Sequence, residues 1–403
     1  MANMKVVFVL MTFPLPSETF ISNDISDFMK SGIDCAVITL RGKHSDYDNM
    51  IRQRNLSGLD ISTANIKSYF SGFFQMVSMP VLVFKTFHWI IKKERNYKKI
   101  LKSITLLPVS FNAIKQIKVL SPDVVHLMWG HYPSIVSWLV KNSLPRIKLS
   151  MFLGAYDLEQ RLAISGQLGQ YDADVVWTHA KVNIAAIKEL GIPEEKIKVV
   201  YRGINLDKIP ASEAVRSDRI ISAGRLIKSK GFDRLISVFK IIKDKCPNSE
   251  LVIFGDGPEK KNLINLANEL GLSDSVIFRG HQAQDVIFKE MSHSKVFLFL
   301  TSHKSERLPN VIKEAMACGC ICISSVSPGI EELIQNGTTG FVVTLANKHD
   351  IALRAISILD NFEQFKSIQH NSKIIISSLF DRKNSTSMYI NYWQKLVTSN
   401  RHQ

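Results

Sequence analysis

Two cations on a glycine-containing loop are the first residues of this sequence that could do chemistry. Gly224 ends an apolar run and allows a ligand to approach the backbone closely. Arg225 and Lys230 follow, just before a helical pattern that begins near Phe232. Cationic side chains beside the free N–H groups of a helix start favour an anion, so this spacing predicts a diphosphate site. The alternative is a basic structural turn completed by Gly231.

Two glutamates eight positions apart form the second candidate site. Pro309 is favoured in the first turn of a helix, so we expect Glu306 on the preceding loop and Glu314 inside the helix. The N–H groups of a helix start favour an anion, and carboxylates accept hydrogen bonds from hydroxyls. The pattern suits a ligand that carries both phosphates and sugar hydroxyls. Helix-capping and surface acids are the alternative.

Both motifs lie among short apolar runs that are separated by helical patterns, which is typical of βα units and parallel sheets. The predicted strands are Val6–Met11, Cys35–Leu40, Val124–Leu127, Lys148–Phe152 and Val175–Thr178, then Ile220–Ser222, Leu251–Phe254, Ser275–Phe278, Val296–Leu300 and Ile321–Ser324. Two series predict two doubly wound α/β domains, with ligands beyond the carboxyl ends of the strands. A polar stretch at 209–217 divides the expected domains, 1–208 and 209–381, and a terminal helical segment follows at 382–403.

The order of the motifs resembles the retaining family 4 glycosyltransferases of the GT-B fold. Gly-Arg-Leu begins at Gly224, Gly-Asp-Gly-Pro at Gly255, and Glu-x7-Glu at Glu306, whose second glutamate opens Glu-Ala-Met-Ala-Cys-Gly. The resemblance is strong over 215–345 and looser in the N-terminal half. It implies two Rossmann-like domains that face a central cleft, with a C-terminal helix that crosses back to the N-terminal domain.

The resemblance also implies roles in the C-terminal domain. Arg225 and Lys230 would hold the donor diphosphate, Glu314 would accept from the ribose hydroxyls, and Glu306 would face the transferred sugar. Leu308, Pro309 and Asn310 would present backbone N–H groups, and the loop at Gly280 and His281 would contact the base. The expected catalytic residues are therefore Glu306, Arg225 and Lys230. The expected donor-binding residues are Gly224, Arg225, Lys230, Gly280, His281, Glu306, Leu308, Pro309, Asn310 and Glu314.

On the acceptor side the resemblance is less complete. Ser17 and Glu18 lie in a segment similar to the family's first loop, and Asp157 ends a motif in which many members have His-x-x-Asp. This sequence has Gly154 at the position of that histidine, which removes the expected direct contact between histidine and sugar. His131, at the end of another predicted strand, is the remaining histidine candidate for the acceptor side.

Composition and charge limit the class of protein. The 403 residues are 45% hydrophobic and 22% charged, which excludes disordered and low-complexity classes. Five cysteines are too few for a secreted disulfide framework and favour a reducing cytoplasm. The sequence contains no run of about 20 apolar residues, so we expect a cytoplasmic chain without a spanning helix. A net charge of +15 indicates an anionic partner.

More than half of that surplus lies in one window. Residues 85–118 contain nine basic side chains against Glu94 alone, for a local charge of +8, and an aromatic run from Tyr69 to Trp89 leads into the window. Apolar and basic residues in this order predict peripheral attachment to the anionic inner face of the cytoplasmic membrane. Two helices with a solvated lysine face are the alternative. Nucleic acid is not an expected partner, because no zinc-finger spacing or RNA-recognition signature is present.

The predicted function is therefore transfer of a sugar from a nucleotide-sugar donor to a saccharide or lipid-linked saccharide acceptor in cell-surface polysaccharide assembly, with retention of configuration. No cofactor or metal is expected. Asp172 and Asp174 match a D-x-D pattern but lack supporting ligands, and we interpret them as strand-edge acids. A GT-B sugar-nucleotide epimerase is the nearest alternative, and a basic nucleic-acid-binding protein is an alternative of another class.

Overall fold

The computed structural model describes residues 4–210, 215–303 and 306–399, apart from the side chain of Ser17. The chain divides into two compact units. Unit 1 comprises the residues up to Val200 together with those from Thr386 onward, and unit 2 is Tyr201–Ser385. The segment after Val200 belongs to unit 2 because Ile204 forms a β-bridge with Asp381. Residues 211–214 of the expected domain boundary lie outside the described residues.

Unit 1 is a doubly wound α/β domain. Its strands are β1 (Lys5–Leu10), β2 (Asp34–Thr39), β3 (Asp60–Ser62), β4 (Val124–Leu127), β5 (Lys148–Phe152), β6 (Val175–Thr178) and β7 (Ile197–Val199). They form a parallel sheet in the order β3-β2-β1-β4-β5-β6-β7. The central strands are buried because their continuous apolar runs meet helices on both faces of the sheet. The sheet order reverses direction between β1 and β4, which creates a switch point in unit 1.

The helices of unit 1 surround this sheet. They are α1 (Thr19–Lys30), α2 (Tyr47–Gln53), α3 (Ile66–Ser78), α4 (Pro80–Lys93), α5 (Tyr97–Thr105), α6 (Leu107–Leu120), α7 (Ser134–Ser143), α8 (Ala155–Gln160), α9 (Ala163–Gln167) and α10 (Asn183–Lys188). The helices α3 and α6 pack closely at Gly72, where a Cβ atom would lie 1.6 Å from the carbonyl oxygen of Pro108. This contact excludes any side chain at position 72.

Unit 2 repeats the architecture. Its strands are β8 (Ser217–Ala223), β9 (Glu250–Phe254), β10 (Val276–Gly280), β11 (Ser294–Phe299), β12 (Ile321–Ser325) and β13 (Phe341–Val343), in the parallel order β10-β9-β8-β11-β12-β13. Its helices are α11 (Phe232–Lys245), α12 (Lys260–Glu269), α13 (Gln284–Ser292), α14 (Asn310–Ala317), α15 (Lys348–Asp360) and α16 (Lys366–Leu379). The predicted pair of doubly wound α/β domains is confirmed. In unit 2 the switch point lies between β8 and β11.

The last helix, α17 (Arg382–Thr398), contributes its later residues to the core of unit 1. Trp393 is fully buried, and its indole N–H donates to Ser150 Oγ over 2.9 Å. The indole N–H of Trp177 donates to the same oxygen over 2.8 Å, and His126 Nδ1 lies 2.8 Å from it. Burial lowers the pKa of His126 to about 3, so its ring is neutral and Nδ1 can accept a hydrogen bond from the Ser150 hydroxyl. The terminal helix thus completes a buried polar network of unit 1.

Helices α3 and α4 expose apolar side chains on the surface of unit 1. Phe70, Phe73, Phe74 and Phe84 of these helices are exposed, the last two to more than 70%. No single helix of the described ranges is long and apolar enough to span a membrane; α3 and α4 meet the length and composition test only when taken together, across a bend of 104°.

Candidate functional site

Two glycine turns of unit 2 touch at the carboxyl ends of β8 and β9. A Cβ atom on Gly255 would lie 1.9 Å from the carbonyl oxygen of Gly224, so only glycine allows this approach. A Cβ atom on Gly224 itself would meet nothing nearer than the ring of Phe232, at 3.7 Å. The described residues therefore do not crowd the backbone at Gly224, and its contact with a ligand remains a prediction.

Lys230 and Glu306 form an ion pair in this region. Lys230 lies in a short 3-10 turn (Lys228–Lys230) after β8, and its ammonium group contacts the Glu306 carboxylate. Both side chains are 18% exposed, and Lys230 Nζ also lies 5.3 Å from the centre of the Phe299 ring. The Arg225 side chain is exposed and is not part of this pair. The structure thus brings together one predicted cation and one predicted carboxylate.

Backbone contacts hold the two loops beside each other. Ser302 N–H and the Thr301 hydroxyl both donate to the carbonyl oxygen of Ser229, over 2.9 and 3.2 Å. Gly231, at φ = 69°, approaches Leu300 so closely that a Cβ atom would lie 2.2 Å from its carbonyl oxygen. These contacts join the loops after β8 and β11, which flank the switch point. Ligands of open α/β sheets bind at such points.

The start of α14 differs from the sequence prediction in one respect. Pro309 precedes the first helical residue, Asn310, and Leu308 is buried with a positive φ of 49°. Proline has no N–H group, so only Leu308 and Asn310 of the three expected backbone donors can donate. The prediction that Pro309 presents an N–H group was wrong.

Lys313 of α14 is a site residue that sequence reasoning missed. It is almost completely buried, and its ammonium group donates to the Arg202 carbonyl over 2.7 Å and to Asn310 Oδ1 over 3.1 Å. Burial and, to a smaller extent, the charge of Arg202 lower the Lys313 pKa to about 7. Lys313 therefore fixes the side chain of the first residue of α14. In sequence it resembles an ordinary surface lysine beside Glu314, and no local signal distinguishes it.

Glu314 lies one turn or more inside α14, as predicted. Gln284, the first residue of α13, donates its amide hydrogen to Glu314 Oε1 over 2.8 Å. Burial raises the Glu314 pKa to about 7, although the Gln284 hydrogen bond and the Lys313 charge both lower it. The carboxylate is therefore poised to gain hydrogen-bond donors from a ligand, since these favour the ionised form.

The predicted base-contacting loop begins at the end of β10. Gly280 has φ = 67°, and its carbonyl oxygen accepts from Gly255 N–H over 2.8 Å. The loop is therefore anchored to the glycine turns described above. His281 follows it and is exposed. Asp256 of the neighbouring turn is paired with Lys260 over 3.0 Å.

On unit 1, Asp157 is buried at the start of α8. Its Oδ2 accepts from Gly154 N–H over 2.9 Å, which caps the helix. Burial raises the Asp157 pKa to about 7; hydrogen bonds from the backbone of Gly154 and Gly130 lower it, and the charge of Glu18 raises it. Asp157 and Glu18 are thus close enough to interact, whereas the side chain of Ser17 lies outside the described part of the chain.

Trp129 explains the glycine at position 154. A Cβ atom there would lie 2.8 Å from the Trp129 ring, so the indole occupies the space that a side chain at 154 would need. His131 lies two residues beyond Trp129, and its Nδ1 is buried with no hydrogen-bond partner among the described residues. Burial and, to a smaller extent, the charges of Lys102 and Arg41 lower the His131 pKa to about 4.

Comparisons with known proteins agree with this fold. HepE from Anabaena, solved in complex with UDP, superimposes with a TM-score of 0.75 over 97% of this chain and all of that one, at 17% sequence identity. The amylovoran biosynthesis glycosyltransferase AmsK of Erwinia amylovora is 26% identical over 362 residues, which are 84% of this chain and 86% of AmsK. A third relative is the Campylobacter jejuni N-acetylgalactosamine-N,N'-diacetylbacillosaminyl-diphospho-undecaprenol 4-alpha-N-acetylgalactosaminyltransferase, 27% identical over 208 residues, or 50% of this chain and 55% of that enzyme.

The two Rossmann-like units of the chain have the GT-B architecture found in HepE. Residues 207–374, which include the Lys230–Glu306 pair and Glu314, match the family model described as Glycosyl transferases group 1.

Proposed function

We propose that this protein is a glycosyltransferase that moves a sugar from a nucleotide diphosphate sugar to a saccharide acceptor during polysaccharide assembly, with retention of configuration as in family 4. The Lys230–Glu306 pair at the switch point of unit 2 carries this proposal. It offers a cation for a diphosphate and a carboxylate for the attached sugar in one place. UDP in HepE and the biosynthetic role named for AmsK support the donor class and the process.

In the proposed reaction, the bond between the anomeric carbon and the β-phosphate oxygen breaks, and the acceptor hydroxyl oxygen forms the new bond on the same face. The proton of the acceptor hydroxyl passes to the leaving phosphate. Negative charge develops on the diphosphate, where Arg225, Lys230 and the N–H groups at the start of α14 stabilise it. Glu306 accepts hydrogen bonds from the transferred sugar, and its negative charge stabilises the positive charge that develops on the sugar ring.

A thermal-shift panel of UDP-, GDP- and ADP-sugars tests the donor class. A ligand present at 100 times its Kd stabilises the folded protein by about 2.7 kcal/mol, which gives a clear shift in Tm. We expect the sugars of one nucleotide to stabilise the protein. We expect the product formed from that donor to keep the anomeric configuration of the transferred sugar. An epimer formed from the donor without any acceptor would contradict transfer and identify an epimerase.

We propose that the reaction needs no metal ion, because Arg225 and Lys230 supply fixed positive charge at the diphosphate. Asp174 of the D-x-D pattern is already engaged: it accepts from Leu149 N–H over 2.8 Å and pairs with Lys148 over 3.4 Å. We expect turnover to persist in excess EDTA. The measurement is the initial rate with and without chelator, and a complete loss of rate that magnesium or manganese restores would contradict the proposal.

We also propose that the acceptor is lipid-linked and that the enzyme attaches to the anionic cytoplasmic face of a membrane. The exposed phenylalanines of α3 and α4 lie next in sequence to the basic window at 85–118. Apolar side chains that enter the interface and lysines that meet anionic headgroups act together in such attachment. The Campylobacter jejuni relative, whose named substrate is a diphospho-undecaprenol, supports an acceptor of this class.

Vesicle co-sedimentation tests the attachment. The triple variant Lys92→Gln, Lys93→Gln, Lys98→Gln should lose much of its binding to anionic vesicles, because each lysine near such a surface contributes about 1 kcal/mol. The control removes three exposed lysines of unit 2, Lys245, Lys261 and Lys289, and should bind like the wild type. Equal sedimentation of all three proteins with anionic and neutral vesicles would show that the window is a solvated helix face.

A further inference from the structure

A cavity of about 270 Å³ opens in unit 1 beside the switch point of its sheet. Residues that follow β1, β2, β4 and β5 line it, together with residues of α5: Met11, Arg41, Lys99, Lys102, His131 and Tyr156 are among them. The cavity therefore has the same relation to its sheet as the Lys230–Glu306 pair has in unit 2, beyond the carboxyl ends of the strands. Its volume is at the lower limit of small-molecule sites, so it suits a compact group.

Three cations give this cavity one sign of charge. Arg41, Lys99 and Lys102 have no ion pair with any carboxylate among the residues that the structure describes. Lys99 Nζ donates to the Gln160 carbonyl over 2.7 Å, and Lys102 Nζ lies 4.4 Å from the centre of the Tyr132 ring. A cleft lined by uncompensated cations attracts anions, because its low-dielectric walls focus the field.

The nearby buried carboxylate does not neutralise this charge by pairing with it. Glu94 is 6% exposed, and its two oxygens accept from the backbone N–H groups of Asn96 and Ala163, both over 3.1 Å. Since Glu94 caps these two backbone segments, it is held as a structural acceptor. The cations of the cavity therefore remain available to an incoming ligand.

The polar groups of the cavity suit a phosphate. His131 is neutral, because burial and, to a smaller extent, the charges of Lys102 and Arg41 lower its pKa to about 4. The Tyr156 ring lies edge-on to the His131 ring at 6.3 Å, so an aromatic hydroxyl and an imidazole border the same space. Arg41 supplies a guanidinium fork, whose geometry matches phosphate oxygens.

We propose that this cavity binds the diphosphate group of the acceptor. The inference rests on the proposed function, which it deepens by assigning the acceptor's anionic group to Arg41, Lys99 and Lys102. The helix that carries Lys99 and Lys102 also exposes Tyr97 and Leu101. Diphosphate recognition and an apolar surface are thus combined on α5, which is the combination that a lipid diphosphate requires.

Calorimetric titration with inorganic pyrophosphate and geranyl diphosphate tests the cavity. The full chain carries Arg225→Ala and Lys230→Ala throughout, so that the proposed donor site does not take up the probe. We expect both probes to bind. The added changes Arg41→Gln and Lys102→Gln should weaken binding at least about tenfold, because each removes a charge-assisted hydrogen bond to the phosphate oxygens. The matched control, Lys98→Gln with Lys118→Gln, removes two exposed charges outside the cavity and should bind unchanged.

The arms of the titration separate the sources of the diphosphate. Tighter binding of geranyl diphosphate than of pyrophosphate, with no binding of geraniol, would identify a lipid-linked ligand; equal binding of the two anions would support the cavity with a water-soluble ligand. The inference would be overturned if neither anion bound. It would also be overturned if the Arg41/Lys102 variant and the Lys98/Lys118 control lost the same amount of affinity for the probes. Donor use is measured separately with nucleotide sugars on the unsubstituted chain, so a failure of the proposed function can be distinguished from a failure of the cavity to bind a diphosphate.

Discussion

Glu306→Gln is expected to lower kcat by about 100-fold, which is the scale of losing one preorganised electrostatic contact in the transition state. Its carboxylate is proposed to face the transferred sugar, where positive charge develops. Glutamine keeps the size and the accepting oxygen but removes the charge. Affinity for the bare nucleoside diphosphate should not fall, because that ligand lacks the sugar. The measurement is steady-state kinetics together with calorimetry of the nucleoside diphosphate that the thermal-shift panel selects.

Glu314→Gln is the matched control, because the same chemical change is made one turn or more inside α14. It should weaken binding of the bare nucleoside diphosphate, since Glu314 is proposed to accept from the ribose. With a Glu314 pKa of about 7, ribose donors that favour the ionised form make binding release a proton. Affinity should therefore rise between about pH 6 and pH 8, and the variant should lose that part of the rise. Equal nucleotide binding by both variants and wild type would disprove the ribose assignment.

Lys230→Ala should lower kcat/KM by about 10- to 100-fold, because a charge-assisted hydrogen bond to the diphosphate is worth roughly 1.5–3 kcal/mol. The loss should be larger than for an exposed lysine, whose charge is screened by solvent, because the Lys230 side chain is mostly buried and also contacts Glu306. Lys228→Ala is the control, because Lys228 lies in the same short turn and is exposed. It should leave kcat/KM unchanged.

The two lysine variants also separate a binding role from a structural one. Circular dichroism and Tm should remain close to wild type in both, because the loop is tied to its neighbour through Ser229 and Gly231 and not through Lys230 alone. Normal kinetics in a well-folded Lys230→Ala protein would remove the proposed diphosphate contact. An equal loss of kcat/KM in Lys228→Ala would show that activity depends on the conformation of the turn and not on the charge of Lys230.

The sequence predicted the repeated strands of both sheets because their apolar runs are long enough to show a pattern. Three short strands, β3, β7 and β13, were missed; each has three residues, and a pattern of that length is not distinguishable from a loop. The placement of Lys230 and Glu306 near one switch point follows from topology, since loops after neighbouring parallel strands meet at the same edge. Their direct pairing does not follow, because it depends on contacts between loops at the level of single atoms.

Other features depend on partners distant in sequence. Lys313 is buried only because the segment at Arg202 covers it, and Gln284 reaches Glu314 from another helix. The sequence shows that Gly154 departs from the family motif, whereas the Trp129 indole that accounts for this glycine is seen only in the structure. Local propensity carries no information about such contacts.

The position of Trp393 has a consequence for the order of folding. Most of unit 1 precedes unit 2 in the chain, but its buried network includes the indole of Trp393, which follows unit 2. Domains of a chain generally fold as they leave the ribosome, amino-terminal units first. Because Trp393 follows unit 2 in the chain, the buried network of unit 1 cannot be completed until unit 2 has been translated. A ribosome-bound chain that stops after unit 2 would therefore contain all of unit 2 but a unit 1 that lacks Trp393.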